Sequence, residues 1–416
     1  MNQAPTEASV ARERLAQEGW IGRRVEFFRH LPPPAAAVWL GDGAAPATST
    51  APSGLAGWSV QPVGDAPHTG VSAQWIDATG PQRHELWQDL PLPDATSDEA
   101  APFAWAHRVL CRQGLRLRID KDASSPAAQE RVWVALQHRP GAAAEAPLAV
   151  VEVGAGVQAV LVETHLPPAA GIAASSIVQN LQLHLRLHEG ASLVHLRVVE
   201  PAAGDHVAHH LHARLAKNAS YRHVLIGEGS PYHLQRLVVD LDEEGASTTT
   251  GVITLTSGSK LDFQNRMRHK APRTGSNVQA LALARDAAHV VLNVHAVIMP
   301  GSDDAEAHQL VTGIPLRGTP RGILRPHMEI LHDQLQATHG ATWGALPEDA
   351  LFYAQQRGID ADVARGLIVQ GMAHELLTAT LGDDALVNAL DAHGPLAQAI
   401  ARLMDNKAAA KEPVHG

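Results

Sequence analysis

Histidine is the residue type in this chain best suited to chemistry. There are 25 copies, and four of them fall close together at His206, His209, His210 and His212. On a strand, His210 and His212 share a face, so a metal site built from neutral imidazoles is chemically open to them. Alternating histidines also suit the solvent face of a strand, and that is how we read this cluster, along with His184 and His188. His339 stands apart, because it lies between Thr338 and Gly340, where a strand pattern gives way to a helix pattern. An imidazole there could project past the end of a β body. Cys111 is the only thiol, so neither an internal disulfide nor an all-cysteine metal site can be built within one chain. Next to Leu110, it reads as a buried residue at a helix end or strand entry. The adjacent acids Glu243 and Glu244, and Asp303 and Asp304, could be taken for the carboxylates of a polysaccharide-active enzyme, but their turn-like settings suit solvated turns better. Phosphate-loop, nucleophile-elbow and His-Glu-x-x-His patterns do not occur, which removes intrinsic ATP hydrolysis and the common hydrolases from the reading.

The elements that would position these groups follow from periodicity. Leu181, Leu183, Leu185 and Leu187 alternate with Gln182, His184, Arg186 and His188, which is the period of a strand with one apolar face. Val194, Leu196 and Val198, then Leu237, Val239 and Leu241, and then Val252, Ile253 and Leu255 repeat the theme. Gly190-Ala191, Asn218-Ala219 and Gly245-Ala246 mark turns at near-constant spacing, which predicts stacked coils. The period-two region starts near 115, after a helix opening at Ser97, Asp98 and Glu99 and closed by Gly114. Upstream, the pattern from Thr6 to Arg29 is helical and Pro32 to Pro34 ends it, while 41–70 reads as loop or linker. Pro326 suits the first residue of a last strand carrying Met328, Ile330 and Leu331. Thr338 to Thr342 then reads as a junction before a helix opened by Pro347, Glu348 and Asp349 and stopped by Gly358. Helical spacing returns over 362–381 and 385–404, and the Ala/Lys tail should fray.

With 43 acids against 33 bases and a net charge of −10, the chain does not suit a nucleic-acid or anionic-membrane surface, since both need clustered positive charge. No run approaches the roughly 18 apolar residues of a membrane span, and no basic segment followed by an apolar run opens the chain. A cytoplasmic protein is expected.

One ordered string carries a family resemblance. Pro326, Glu329, Ile330, Asp333, Thr338, His339, Gly340, Ala341, Thr342, Leu351, Phe352, Tyr353, Arg357, Gly358 and Ile359 resemble the SufB/SufD family of iron–sulfur cluster assembly proteins, closest to SufD. His269, Pro272, Thr274 and Ser276 fit the family's His-x-x-Pro-x-Thr-x-Ser. The resemblance implies a right-handed parallel β-helix flanked by N- and C-terminal helical segments. We divide the chain into a helical and loop region 1–114, a β-helix core 115–343 and a helical domain 344–416. The resemblance also implies a non-catalytic scaffold subunit that pairs with a SufB-like chain and contacts a SufC-like ATPase. Partner contacts are then expected at Thr338, Gly340, Leu351, Phe352, Tyr353, Arg357 and Gly358. His339 becomes the candidate cluster-assembly residue and iron ligand, although Ala337 stands where many members carry cysteine. No cluster should be held stably by the chain alone. A transient cluster, and reduced flavin, would belong to the complex, and an isolated chain with an open sheet end would be able to form a homodimer. A β-helix enzyme acting on polysaccharide is the alternative.

Overall fold

The computed structural model describes residues 7–41, 57–62, 70–78, 80–121, 131–168, 176–383, 386–388 and 394–404. Two long sheets face each other. The first runs in the order β1 (Trp58–Pro62), β4 (Val132–His138), β7 (Gln158–His165), β9 (Ser192–Val199), β11 (Ser220–Glu228), β13 (Ser247–Ser257), β15 (Gly275–Asp286), β17 (Ala305–Gly318) and β19 (Leu335–Trp343). The second runs β18 (Arg321–Ile330), β16 (His289–Ile298), β14 (Lys260–His269), β12 (Tyr232–Leu241), β10 (His206–Leu215), β8 (Val178–Leu187), β6 (Leu148–Val153), β3 (Gln113–Ile119) and β2 (Val71–Asp77), with the short β5 (Ala144–Glu145) beside β8. From β3 and β4 onward every pairing within a sheet is parallel, and the chain alternates between the sheets, which is the construction of a β-helix.

The turn spacing seen in the sequence has a backbone cause. Gly156, Gly190, Asn218, Gly245, Arg273 and Asp304 all take positive φ. Each donates its amide to the residue just before its counterpart one coil on, as Gly190 does to the Lys217 carbonyl at 2.9 Å and Asn218 to the Glu244 carbonyl at 3.0 Å. Glycine and asparagine tolerate this left-handed region best, which is why they mark the repeat.

Leu181, Leu183, Leu185 and Leu187 point into the coil, as their alternation predicts, with Leu237, Val239 and Leu241 opposite the other sheet. Val194, Leu196 and Val198 do the reverse. They face outward and are buried there, together with Ile253 and Leu255, by helix α6 (Ala361–Leu381) and the last helix, α7 (Pro395–Met404). The terminal helices therefore cover the faces of the β-helix rather than capping its ends, because these outward apolar rows have to be taken out of water. α6 is set by its ends: Asp360 accepts from the Asp362 amide at 2.8 Å, and Gly382 takes φ 60° at the C-terminus.

On the second sheet, α1 (Glu7–Glu18), α2 (Ala36–Trp39) and α4 (Ala101–Leu110) bury Phe28, Trp39 and Phe103 against Ala208, Tyr232 and Leu234. A short α3 (Arg83–Trp87) packs beside them near Leu148. Ion pairs from Asp98 to Arg236 at 2.7 Å and from Glu99 to Arg266 at 3.1 Å pin this segment down.

Several local expectations are corrected. Part of the stretch read as linker is strand β1, held antiparallel to β4 with Trp58 fully buried; much of the rest of 41–70 lies outside the described residues, as does the Ala/Lys tail. Gly114 does not close a helix: it lies in β3, where a side chain would strike Leu86. Pro326 is not a first residue but sits within β18, where the edge position leaves its missing amide without cost.

Candidate functional site

The string from Thr338 to Thr342, read as a junction before the helix, is strand. β19 pairs in parallel with β17 in the register His308 to Thr338, Gln309 to His339 and Leu310 to Gly340. The two threonines suit a strand, but Gly340 and the lack of apolar alternation do not mark one, and the paired edge of β17 settles it. β18 and β19 are the last strands of their sheets, so one side of each carries unpaired backbone groups. His339 is exposed in this last strand, opposite Gln309, whose side chain reaches across the coil to the His327 carbonyl at 3.2 Å. Thr338 receives or gives a 2.8 Å hydrogen bond with His308, fixing both on the outer row. Ala337 lies opposite Ala307, so no thiol stands near His339. Leu310, Ile330, Leu331 and Trp343 leave a third to a half of their surface exposed around this end.

The next stretch forms α5 (Glu348–Gln356), which buries none of its residues fully. Phe352 and Tyr353 are more than 60% exposed, at 63% and 62%. Leu351 packs at the edge of the outer apolar layer. Arg357 lies 3.6 Å above the Tyr353 ring, and Gly358 takes φ 75° past the helix end. The predicted residues thus fall in two neighbouring places, the β-helix end and an exposed helix.

The second motif is structural. His269 bonds Thr274 at 2.9 Å and Ser276 at 2.8 Å, while its carbonyl takes the Ser302 hydroxyl at 3.0 Å. Burial moves its imidazole down to about 4, so it is neutral here. The acid pairs are turn residues: Glu244 pairs with Arg273, Glu243 accepts the Lys217 amide, and Asp303 meets His332 at 2.7 Å. They do not converge as catalytic carboxylates would.

The histidine cluster departs most from expectation, since two of its four members are buried and the other two are partly covered. His209 points into the coil and His210 is buried under Phe103, with ring centres 5.1 Å apart. His212 bonds Asp240 at 2.8 Å, and His206 is half-buried. His209 belongs to an interior polar layer that sequence reading missed. Glu163 accepts from Arg197 at 2.8 and 2.9 Å, and its two oxygens also meet His165 at 2.7 Å and His195 at 3.0 Å. Arg197 continues to Gln235 at 2.8 Å and His209 at 3.2 Å. Burial alone would raise Glu163, but Arg197 and the two imidazoles outweigh it and hold the carboxyl well below the usual range. One signal was present: Leu193, His195, Arg197 and Val199 share a parity, with the charge between apolar neighbours. Cys111 lies at the end of α4, buried, with burial pushing its thiol up to about 12. Among the described residues no group of three or more His, Cys, Asp or Glu could hold a metal ion.

Comparison with known proteins fits this architecture. Residues 136–372, more than half of the chain, match the family described as SUF system FeS cluster assembly, SufBD core domain. The chain belongs to the SufBD family. It is 25% identical over 201 residues to an iron–sulfur cluster assembly SufBD family protein of Synechocystis, covering 48% of this chain and 44% of that protein. It is 22% identical over 199 residues to the iron–sulfur cluster assembly protein SufD of Plasmodium berghei, covering 48% and 15%. With SufD of Escherichia coli it shares 37% identity over 62 residues, 15% and 14% of the two chains. The matches span less than half the length of each of these relatives. No helix among the described residues is long and apolar enough to cross a membrane.

Proposed function

We propose that this SufBD family protein is a SufD-like, non-catalytic scaffold subunit. The end formed by β18 and β19 pairs with a SufB-like chain, and α5 with the residues after it engages a SufC-like ATPase. His339 helps to assemble an iron–sulfur cluster that is cargo of the complex, with thiolates supplied by the partner. The reading rests chiefly on the open end of the β-helix: two terminal strands with unpaired backbone groups, ringed by Leu310, Ile330, Leu331 and Trp343. A row of free donors and acceptors bordered by apolar side chains favours a second sheet end. The same end would also allow two copies of the chain to pair when no partner is present. One buried cysteine cannot supply the usual four thiolates, so the isolated chain holds no stable cluster.

The test is co-purification with the SufB-like and SufC-like partners, using the wild-type chain and Ile330→Lys. Lysine on an exposed edge strand should leave the fold intact and reduce recovery of the SufB-like chain at least tenfold. Undiminished recovery would show that the partner docks elsewhere.

A further inference from the structure

A cavity of about 160 Å³ lies between the N-terminal segment and the outer face of the second sheet. Its roof is the stretch around Trp87 to Ser97 and helix α4; its floor is formed by Gln182, His184, His210, His212, Arg236 and Arg266. Trp87 Nε1, Gln182 Nε2, His210 Nε2 and Arg266 Nε line it and have no hydrogen-bond partner. His210 is 7% exposed, so water reaches it poorly. Among the described residues, every unpartnered buried polar atom on the cavity wall is a nitrogen. Buried donors left unpaired are costly; Trp87, Gln182 and Arg266 present N–H groups to one space, and the neutral His210 adds a fourth in its Nε2–H tautomer, which calls for an acceptor-rich occupant. Net charge does not supply the attraction, because Arg236 and Arg266 are paired with Asp98 and Glu99 and Arg108 with Glu7. Directed N–H groups do. The rest of the wall is mixed: Leu90, Pro91 and Leu148 are apolar, while the carboxylates on it are already engaged, Asp98 by Arg236 and Asp94 by the amide and hydroxyl of Thr96. An engineered cavity of about 150 Å³ holds benzene, which sets the size of the guest.

We propose that this cavity binds a small oxyanion, phosphate or carboxylate, carried on a short apolar body. The anion sits among the Trp87, Gln182, His210 and Arg266 nitrogens, and the apolar part lies against Leu90 and Leu148. Occupancy would tie the N-terminal segment to the β-helix, so binding should stabilise the folded chain.

The experiment uses the full chain at fixed ionic strength, with phenyl phosphate, benzoate, inorganic phosphate and benzyl alcohol as probes, read by calorimetric titration and Tm. Phenyl phosphate or benzoate should bind with a Kd of about 1 mM or tighter and raise Tm. Inorganic phosphate should bind more weakly, and benzyl alcohol should not bind. Gln182→Leu and Arg266→Met, each checked for an unchanged circular dichroism spectrum, should weaken binding about tenfold or more. The proposal would be overturned by no binding of either aromatic anion to the wild-type chain up to about 10 mM, or by binding unchanged in both variants. Binding of benzyl alcohol as tight as that of phenyl phosphate would equally exclude an oxyanion site.

Discussion

Glu163 and Arg197 lie 34 residues apart in the chain and meet inside the β-helix, the carboxylate taking Nε at 2.8 Å and Nη2 at 2.9 Å with both side chains almost fully buried. They stand on adjacent parallel strands and bridge toward the opposite sheet through Gln235 and His209. Removing one partner leaves a buried charge without compensation. Glu163→Gln should therefore cost about 3–5 kcal/mol of stability, whereas an apolar pair of similar volume, Glu163→Leu with Arg197→Met, should cost much less. Urea denaturation of the three chains measures this, and equal losses for the single and double variants would refute it.

Stability should pass through a maximum near pH 6.5. His107 and His210 are moved down to about 3 and His233 and His269 to about 4, in each case chiefly by burial. The unfolded chain binds protons at these positions below about 6.5 while the native chain does not, so stability falls as pH drops from there. Burial raises Asp262 to about 8 and Glu145 to about 7. These carboxyls hold protons in the native state that the unfolded chain has released, so their contribution is lost as pH rises toward 7 and 8. Between about 4 and 6.5 the four histidines outnumber the two acids; above 6.5 only the acids remain. Thermal melts across pH 5 to 8.5 would show the maximum, and a steady rise through pH 8 would contradict it.

His339→Ala should leave Tm within about 1 °C of wild type, because the imidazole is exposed and stability effects at such positions stay within roughly 0.5 kcal/mol. Complex yield should be near normal while cluster maturation in vivo declines. Normal maturation with an intact complex would remove His339 from cluster assembly.

The ATPase contact is best probed by Phe352→Ala with Tyr353→Ala. Deleting the chain from Pro347 onward would strip α6 from Val224, Ile253 and Leu281, exposing an apolar face and confounding the result. The double alanine variant alters only exposed rings, so it should fold normally and retain the SufB-like partner while losing most of the SufC-like one. Retention of the ATPase in pull-downs at wild-type stoichiometry would place that contact elsewhere.

The sequence by itself determined the β-helix, because alternating leucines and left-handed turn residues about one coil apart are local signatures that any coil must repeat. It also determined the family string and the absence of thiols beyond Cys111. Only the tertiary structure decided that Thr338 to Thr342 is strand, since the string combines strand-favouring threonines with Gly340 and Ala341 and shows no apolar alternation, and pairing with β17 settles it. It likewise decided that Val194, Leu196 and Val198 face the C-terminal helices while His195 and Arg197 face inward. The all-apolar row is the one that periodicity alone would turn inward, and it is the helices packed on that face that let it face outward instead. The interior polar layer was hidden for the same reason: its members come from successive coils and opposite sheets, and their partners depend on the length of each coil, which the period-two pattern does not encode.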